Sequence, residues 1–258
     1  MNASRTNVTA PLLALCALAV ALPMSALAQA PGIEPAATKL LKRMTDYMSG
    51  LNQFSVHTQN TLEDLLESGQ RVDPTVSATI TISRPNKLRA VRKGDLIDQD
   101  FYYDGKSLTL YSPSQSVYAT EPAPKTVEGV LDYARDTLGL IIPASDLIYP
   151  NGYDLLMRGV TSARVLGKET VGKMKCDHLA FRRPGVDFQV WVSEGAQPLP
   201  CKYVVTDPST PALLSVVTVM SDWKVGVLPP DALFGFVPPK AAKPVTFMHL
   251  PASATPSR

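Results

Sequence analysis

The sequence predicts a mainly β protein with α: one curved antiparallel sheet or barrel, covered by an N-terminal helix and mid-chain helices. Three observations lead there. About ten short segments alternate apolar and polar residues and are separated by turn signals. A single stretch of helical period precedes them, and a second helical stretch interrupts them near the middle. A half-buried sheet must cover its apolar face with another layer, and these two stretches are the material available.

The elements follow in chain order. From Ala36, the residues Leu40, Leu41, Met44, Tyr47, Met48 and Leu51 recur at helical spacing, and the helix ends near Gly50. After it the period changes to two. Val76, Ala78, Ile80 and Ile82 alternate with Thr75, Ser77, Thr79, Thr81 and Ser83, one face apolar and the other rich in hydroxyls. Further strands are predicted at 54–62, 87–93, 98–103, 107–112 and 116–120, and then at 163–169, 174–182, 187–192, 202–206 and 214–223. Asp104-Gly105, Ser112-Pro113, Gly172-Lys173, Pro184-Gly185 and Asp207-Pro208 mark turns, with Asp104-Gly105 a two-residue hairpin signal. Between the two strand groups, Val127, Val130, Leu131, Ala134 and Leu138 have helical spacing, with Gly139 as a stop, and 143–149 and 153–157 read as shorter helices.

Both ends of the chain read differently. Residues 1–28 carry one charge, Arg5, then an apolar run from Leu12 to Leu22 and Ala26-Leu27-Ala28, the pattern of a secretory signal cleaved after Ala28. The run is short for a membrane span, which takes about 20 residues. Cys16 follows Leu15 inside that run, where a lipid-modified cysteine would need a small residue before it. One domain is expected over 29–250, with a disordered tail at 251–258 and no transmembrane segment in the mature chain. Setting Arg5 aside leaves 24 Lys+Arg against 23 Asp+Glu, so no general basic field for nucleic acid exists. The expected location is the periplasm.

The search for catalytic chemistry returns little. Gly105-Lys106-Ser107 has the end of a phosphate-binding loop, but the required first glycine position is Asp100, and β-type residues follow where a helix should open. His57, His178 and His249 show no metal-ligand spacing, and no Gly-x-Ser-x-Gly elbow occurs. Asp95, Asp98, Asp100 and Asp104 lack the order of a calcium loop. Cys176 and His178 share a strand face, but nothing in sequence supplies an orienting third group. No enzyme, metal or cofactor is expected. Whether Cys176 and Cys201 pair stays open. A three-strand meander puts them two strand spacings apart, about 9–10 Å, and a disulfide needs Cα atoms within about 7 Å, so pairing requires the outer strands to meet or shift in register.

Four segments in order resemble periplasmic lipoprotein carriers and receptors of the LolA/LolB type: Ser83-Arg84-Pro85-Asn86-Lys87-Leu88-Arg89; Tyr103-Asp104-Gly105-Lys106-Ser107-Leu108-Thr109-Leu110-Tyr111; Val190-Trp191-Val192 to Leu199-Pro200; and Leu233-Phe234-Gly235-Phe236-Val237-Pro238-Pro239. The fuller pattern also resembles a bacterial family of predicted periplasmic proteins. The resemblance implies an incomplete antiparallel β-barrel whose concave side is lidded by helices over an apolar cavity. It implies a non-enzymatic carrier or binding protein for a lipid or lipoprotein acyl chain, or else a periplasmic sensor that meets a protein partner through a sheet edge or through Trp191 and Trp223. The inward-facing residues that would line such a cavity are Ala78, Ile80, Ile82, Leu88, Phe101, Tyr103, Leu108, Leu110, Leu131, Leu138, Leu179, Phe181, Phe188, Val190 and Val192. Such a set can equally be solid core, since barrels of this size either fill with side chains or hold one ligand.

Overall fold

The computed structural model describes residues 32–95, 97–209 and 212–251. The expected signal segment with Cys16, and the tail after Pro251, lie outside the described residues. Helix α1 (Pro35–Ser49) leads into strand β1 (Gln53–Leu62), then a small ribbon of β2 (Asp64–Leu65) and β3 (Arg71–Val72). A first meander follows: β4 (Thr75–Ser83), β5 (Lys87–Gly94), β6 (Asp98–Tyr103), β7 (Ser107–Ser112) and β8 (Val117–Pro122). Helix α2 (Val127–Asp136), a 3-10 turn at Ser145–Ile148 and α3 (Gly152–Met157) interrupt it. The second meander is β9 (Ser162–Val171), β10 (Met174–Arg183), β11 (Val186–Ser193), β12 (Pro200–Thr206) and β13 (Ser215–Val225), and a last short strand is β14 (Lys243–Pro244).

One twelve-stranded sheet results, in the order β14-β8-β7-β6-β5-β4-β1-β13-β12-β11-β10-β9, curved and unclosed. Every pair is antiparallel except β14 with β8. The seam is β1, which pairs with β4 on one side and with β13 on the other, so the first strand of the chain joins the two meanders. Each edge is capped over only a few residues, and the outer half of β9, residues 166–170, stays exposed. Lys243-Pro244 lies along β8, and Ile33 bridges to Ala163 on β9.

Two layers cover the concave face. Helix α1 buries Ala37, Leu41, Met44 and Met48, recurring at three- and four-residue intervals, against β9, β10 and β11. Helix α2 starts at Thr126, whose hydroxyl accepts from the Gly129 amide as an N-cap. It buries Val127, Val130, Leu131 and Ala134. Gly139, at φ +68°, turns the chain out of α2, a conformation that costs a glycine little.

The C-terminal segment crosses the convex face. Phe234 is buried, and the Phe236 ring sits 5.1–5.4 Å from those of Tyr102, Tyr111 and Tyr118. The sequence motif around Phe234 and Phe236 is thus an aromatic clasp on β6, β7 and β8.

One turn reading changes. Tyr103 pairs with Leu108, so the hairpin at Asp104-Gly105 has a four-residue connection and not a two-residue one. The Asp104 carboxylate explains it by accepting from the Lys106 and Ser107 amides at 2.9 and 2.8 Å, which organises a wider turn. Gly105, at φ +93°, faces the other motif turn: a Cβ there would stand 2.4 Å from the Asn86 amide nitrogen. The two turns of the sequence resemblance therefore abut.

Candidate functional site

Between the sheet and the segment that follows α2 lies an apolar cleft with about 100 Å³ of free space. Its floor is the concave face of β1, β4 and β5, with Phe101 from β6 and Met220 and Trp223 from β13. Its roof is Leu131 of α2, the stretch Leu140–Ala144, and Leu147 and Ile148 of the 3-10 turn. Ile141 is 62% exposed at the mouth, an apolar residue left in water where a ligand would enter.

Strand register orders the floor in rows. Phe54, Ile82 and Leu88 stand side by side, and so do Val56, Ile80, Ala90 and Phe101. The next row is different: Met220, Thr58, Ala78, Arg92 and Gln99. Beyond it come Thr218, Asn60 and Val76. The Asn60 amide donates to the Thr58 hydroxyl and the Val76 carbonyl, both at 3.0 Å, and its carbonyl accepts from Thr218 at 2.9 Å. The cleft is greasy along most of its length and polar at one end.

The roof is pinned at its base. The Arg84 guanidinium donates to the Leu51 carbonyl at 3.1 Å, to the Ile148 carbonyl and to the Glu128 carboxylate, with its side chain only 11% exposed. One arginine thus ties the end of α1, the 3-10 turn and the start of α2 to the β4–β5 corner. The Tyr149 hydroxyl donates to Asp132 at 2.7 Å, and Arg135 holds the same carboxylate at 2.6 Å. Burial pushes the Tyr149 hydroxyl up to about 12, so it stays a donor at neutral pH.

Of the fifteen residues expected to face a cavity, Ala78, Ile80, Leu88, Phe101 and Leu131 line this cleft. Leu110 and Leu138 line a second, more polar cleft beside β14 instead. Ile82, Tyr103, Leu108, Leu179, Phe181, Phe188, Val190 and Val192 line neither and are solid core. The reason is what covers each part of the sheet. Period-two alternation places a residue on the inner face, but α1 fills that face over β9–β11, and the start of α2 with Pro124 fills it over Tyr103 and Leu108. Over β1, β4 and β5 an apolar gap remains. Sequence reading missed Phe54, Val56, Thr58, Asn60 and Arg92. The period-two pattern of β1 and the row opposite Ala78 carried that signal.

On the convex side, Cys176 and Cys201 form a disulfide with Cα atoms 6.9 Å apart. A β-bulge makes this reachable. Trp191 pairs with Lys202 and Val192 with Pro200, so Cys201 has no ladder partner and turns to the face that carries Cys176. The thiol that a Cys176–His178 couple would need is consumed. His178 stacks on Trp191 with ring centroids 3.8 Å apart, and its nitrogens meet Glu169 and Gln189, both at 2.8 Å. Glu169 also accepts from the Trp191 indole, and that bond with the His178 contact holds its carboxyl below the usual range. Trp191 is buried, and Trp223 packs on Phe54 with its indole donating to the Pro200 carbonyl at 3.2 Å. Neither tryptophan is an exposed anchor for a partner. Among the described residues no group of His, Cys, Asp or Glu has metal-binding geometry. No described helix is long and apolar enough to cross a membrane.

Comparison with known proteins follows the same lines. No curated protein matches the chain. Among solved structures it is similar to LprF from Mycobacterium bovis, at 13% identity over 82% of this chain and 100% of that one, with a TM-score of 0.48. It is similar to a chain of the Pseudomonas aeruginosa MucA/MucB complex, at 14% identity over 78% of this chain and 61% of that one, with a TM-score of 0.44. A putative outer membrane lipoprotein-sorting protein domain from Vibrio parahaemolyticus matches at 10% identity over 77% of this chain and 96% of that one, with a TM-score of 0.33. The family model described as a predicted periplasmic protein (DUF2092) matches residues 37–248, from the first core alanine of α1 to the segment beyond β14, and the chain belongs to that family.

Proposed function

We propose that the protein is a periplasmic binding protein or carrier that holds a lipid or lipoprotein acyl chain in the cleft between β1, β4, β5 and the roof segment. The observation that carries this reading is the cleft itself: a roofed gap with walls of Phe, Val, Ile, Leu and Ala, where the sheet under α1 is solid core. Each methylene moved from water into such walls gains about 0.8 kcal/mol, so a chain is retained without any polar catalytic set. The reading is of binding without turnover. The oxidised Cys176 and the fully engaged His178 ring support it by removing the one nucleophile–base couple. The tryptophans that would have anchored a protein partner are packed internally.

Entry requires the roof to lift. Release of the Ile148 carbonyl from Arg84 is the step at its base, and Ile141 at the mouth is the first apolar contact. Native mass spectrometry of protein taken from the periplasm tests the reading directly. A lipid-sized adduct lost on delipidation, and saturable uptake of a sixteen-carbon fluorescent acyl probe by the delipidated protein, are expected. Absence of both would overturn it.

A further inference from the structure

The polar end of the cleft is built for a charge. Arg92 is the single charged residue lining the cleft, and among the described residues it makes no ion pair. Its Nη1 donates to the Gln99 side-chain oxygen Oε1 at 3.2 Å. A cation withdrawn from water without a counter-charge is unfavourable. Burial lowers the pKa of Arg92 from its ordinary value, but guanidinium stays protonated in proteins.

We propose that this end of the cleft is a head-group site for a long-chain fatty acid, its carboxylate received by the Arg92 guanidinium and the Thr58 hydroxyl, its alkyl chain laid toward Phe54 and Leu88. The proposal rests on the acyl-binding reading above and adds the chemistry of the head group. Register places Thr58, Ala78 and Arg92 in one row. The outer two backbones are two strand spacings apart, about 9–10 Å. Ala78 between them presents only a methyl group, so the row has room for a carboxylate above it. Thr58 is prepared to donate. Its oxygen already accepts from Asn60, while among the described residues no acceptor takes its own proton. Asn60 is held in turn by Val76 and Thr218 and orients that hydroxyl.

The arrangement favours a monoanion. A neutral ester leaves Arg92 unmatched, and a phosphate monoester brings a second charge with no second cation lining the cleft. The planar guanidinium fork matches a carboxylate in two parallel bonds.

The test is displacement of a fluorescent acyl probe from delipidated protein by palmitate, hexadecanol or hexadecyl phosphate, each below its micellar concentration. The wild type, Arg92→Met and Arg92→Lys are compared, with circular dichroism confirming that each is folded. Wild type is expected to prefer palmitate over hexadecanol by about tenfold to a hundredfold, the range of charge-assisted hydrogen bonds. Arg92→Met should erase the preference by weakening palmitate far more than hexadecanol, and Arg92→Lys should retain part of it. Equal binding of palmitate and hexadecanol to wild type would overturn the head-group site while the acyl cleft stands. So would a preference that survives Arg92→Met, or hexadecyl phosphate binding better than palmitate. Failure of all three ligands to displace the probe would overturn both readings together.

Discussion

Replacing Ala78 by leucine distinguishes an open cleft from a packed core by the sign of its effect. Ala78 lies on the cleft floor between Thr58 and Arg92. Leucine adds three carbons at that point. At about 0.8 kcal/mol per buried carbon the gain approaches 2.4 kcal/mol, and ordering the side chain takes back about 0.5–1 kcal/mol. The net expectation is stabilisation by about 1.5 kcal/mol, or about 3–6 °C in Tm for a domain of this size. The same carbons forced into a filled interior destabilise by about 1–3 kcal/mol. Ala134 of α2, fully buried and outside the cleft, supplies that contrast within one molecule. Urea unfolding of Ala78→Leu and Ala134→Leu should give shifts of opposite sign, and Ala78→Leu should also lose uptake of the acyl probe. Destabilisation of Ala78→Leu by 1 kcal/mol or more, to a degree like that of Ala134→Leu, would refute the open cleft (both thresholds from the overpacking range).

Three further outcomes are expected. The Cys176–Cys201 disulfide closes a loop with a sequence separation of 25, for which chain entropy predicts about 3.5 kcal/mol of stabilisation; urea midpoints of the oxidised protein and the Cys176→Ser/Cys201→Ser variant should differ accordingly, and a loss under 1 kcal/mol would contradict the entropic account. Arg84→Met strips three partners from one partly buried guanidinium and should cost about 2–3 kcal/mol; hydrogen exchange should accelerate in the peptide containing Ile148, and unchanged protection there would show that Arg84 does not pin the roof. Burial alone would raise the Asp104 carboxyl, but the Ser107 and Lys106 amides overcome it and hold it below its ordinary value. Its contribution is therefore complete above the unfolded carboxyl range near pH 4 and is lost as pH falls through the lower folded value; the drop in urea midpoint between pH 6 and pH 3 should be smaller in Asp104→Asn than in wild type.

The elements themselves were legible in the chain. Alternation and turn residues located the strands of both meanders to within a few residues at their ends, and Leu41, Met44 and Met48 announced the helix that covers β9, β10 and β11. These are local properties: side-chain period follows backbone geometry, and a turn needs its glycine or aspartate at the bend. The pairing of β1 with β13 was not legible, because it joins residues more than 150 positions apart and no local pattern encodes a partner. The bulge that turns Cys201 toward Cys176 lies in the same class, since a single unpaired residue reverses what alternation implies. So does the division of one inner face into core and cleft. Ala78 and Phe188 carry the same inward signal, yet α1 lies over Phe188, and the gap beneath the roof lies over Ala78. The sequence by itself determined which residues face inward and where the chain turns, through forces that act within a few residues. Tertiary contacts set what stands opposite each inward face, and with it that Arg92 has no acidic partner among the described residues at the end of a greasy cleft, because burial depends on neighbours that the chain brings back from far away.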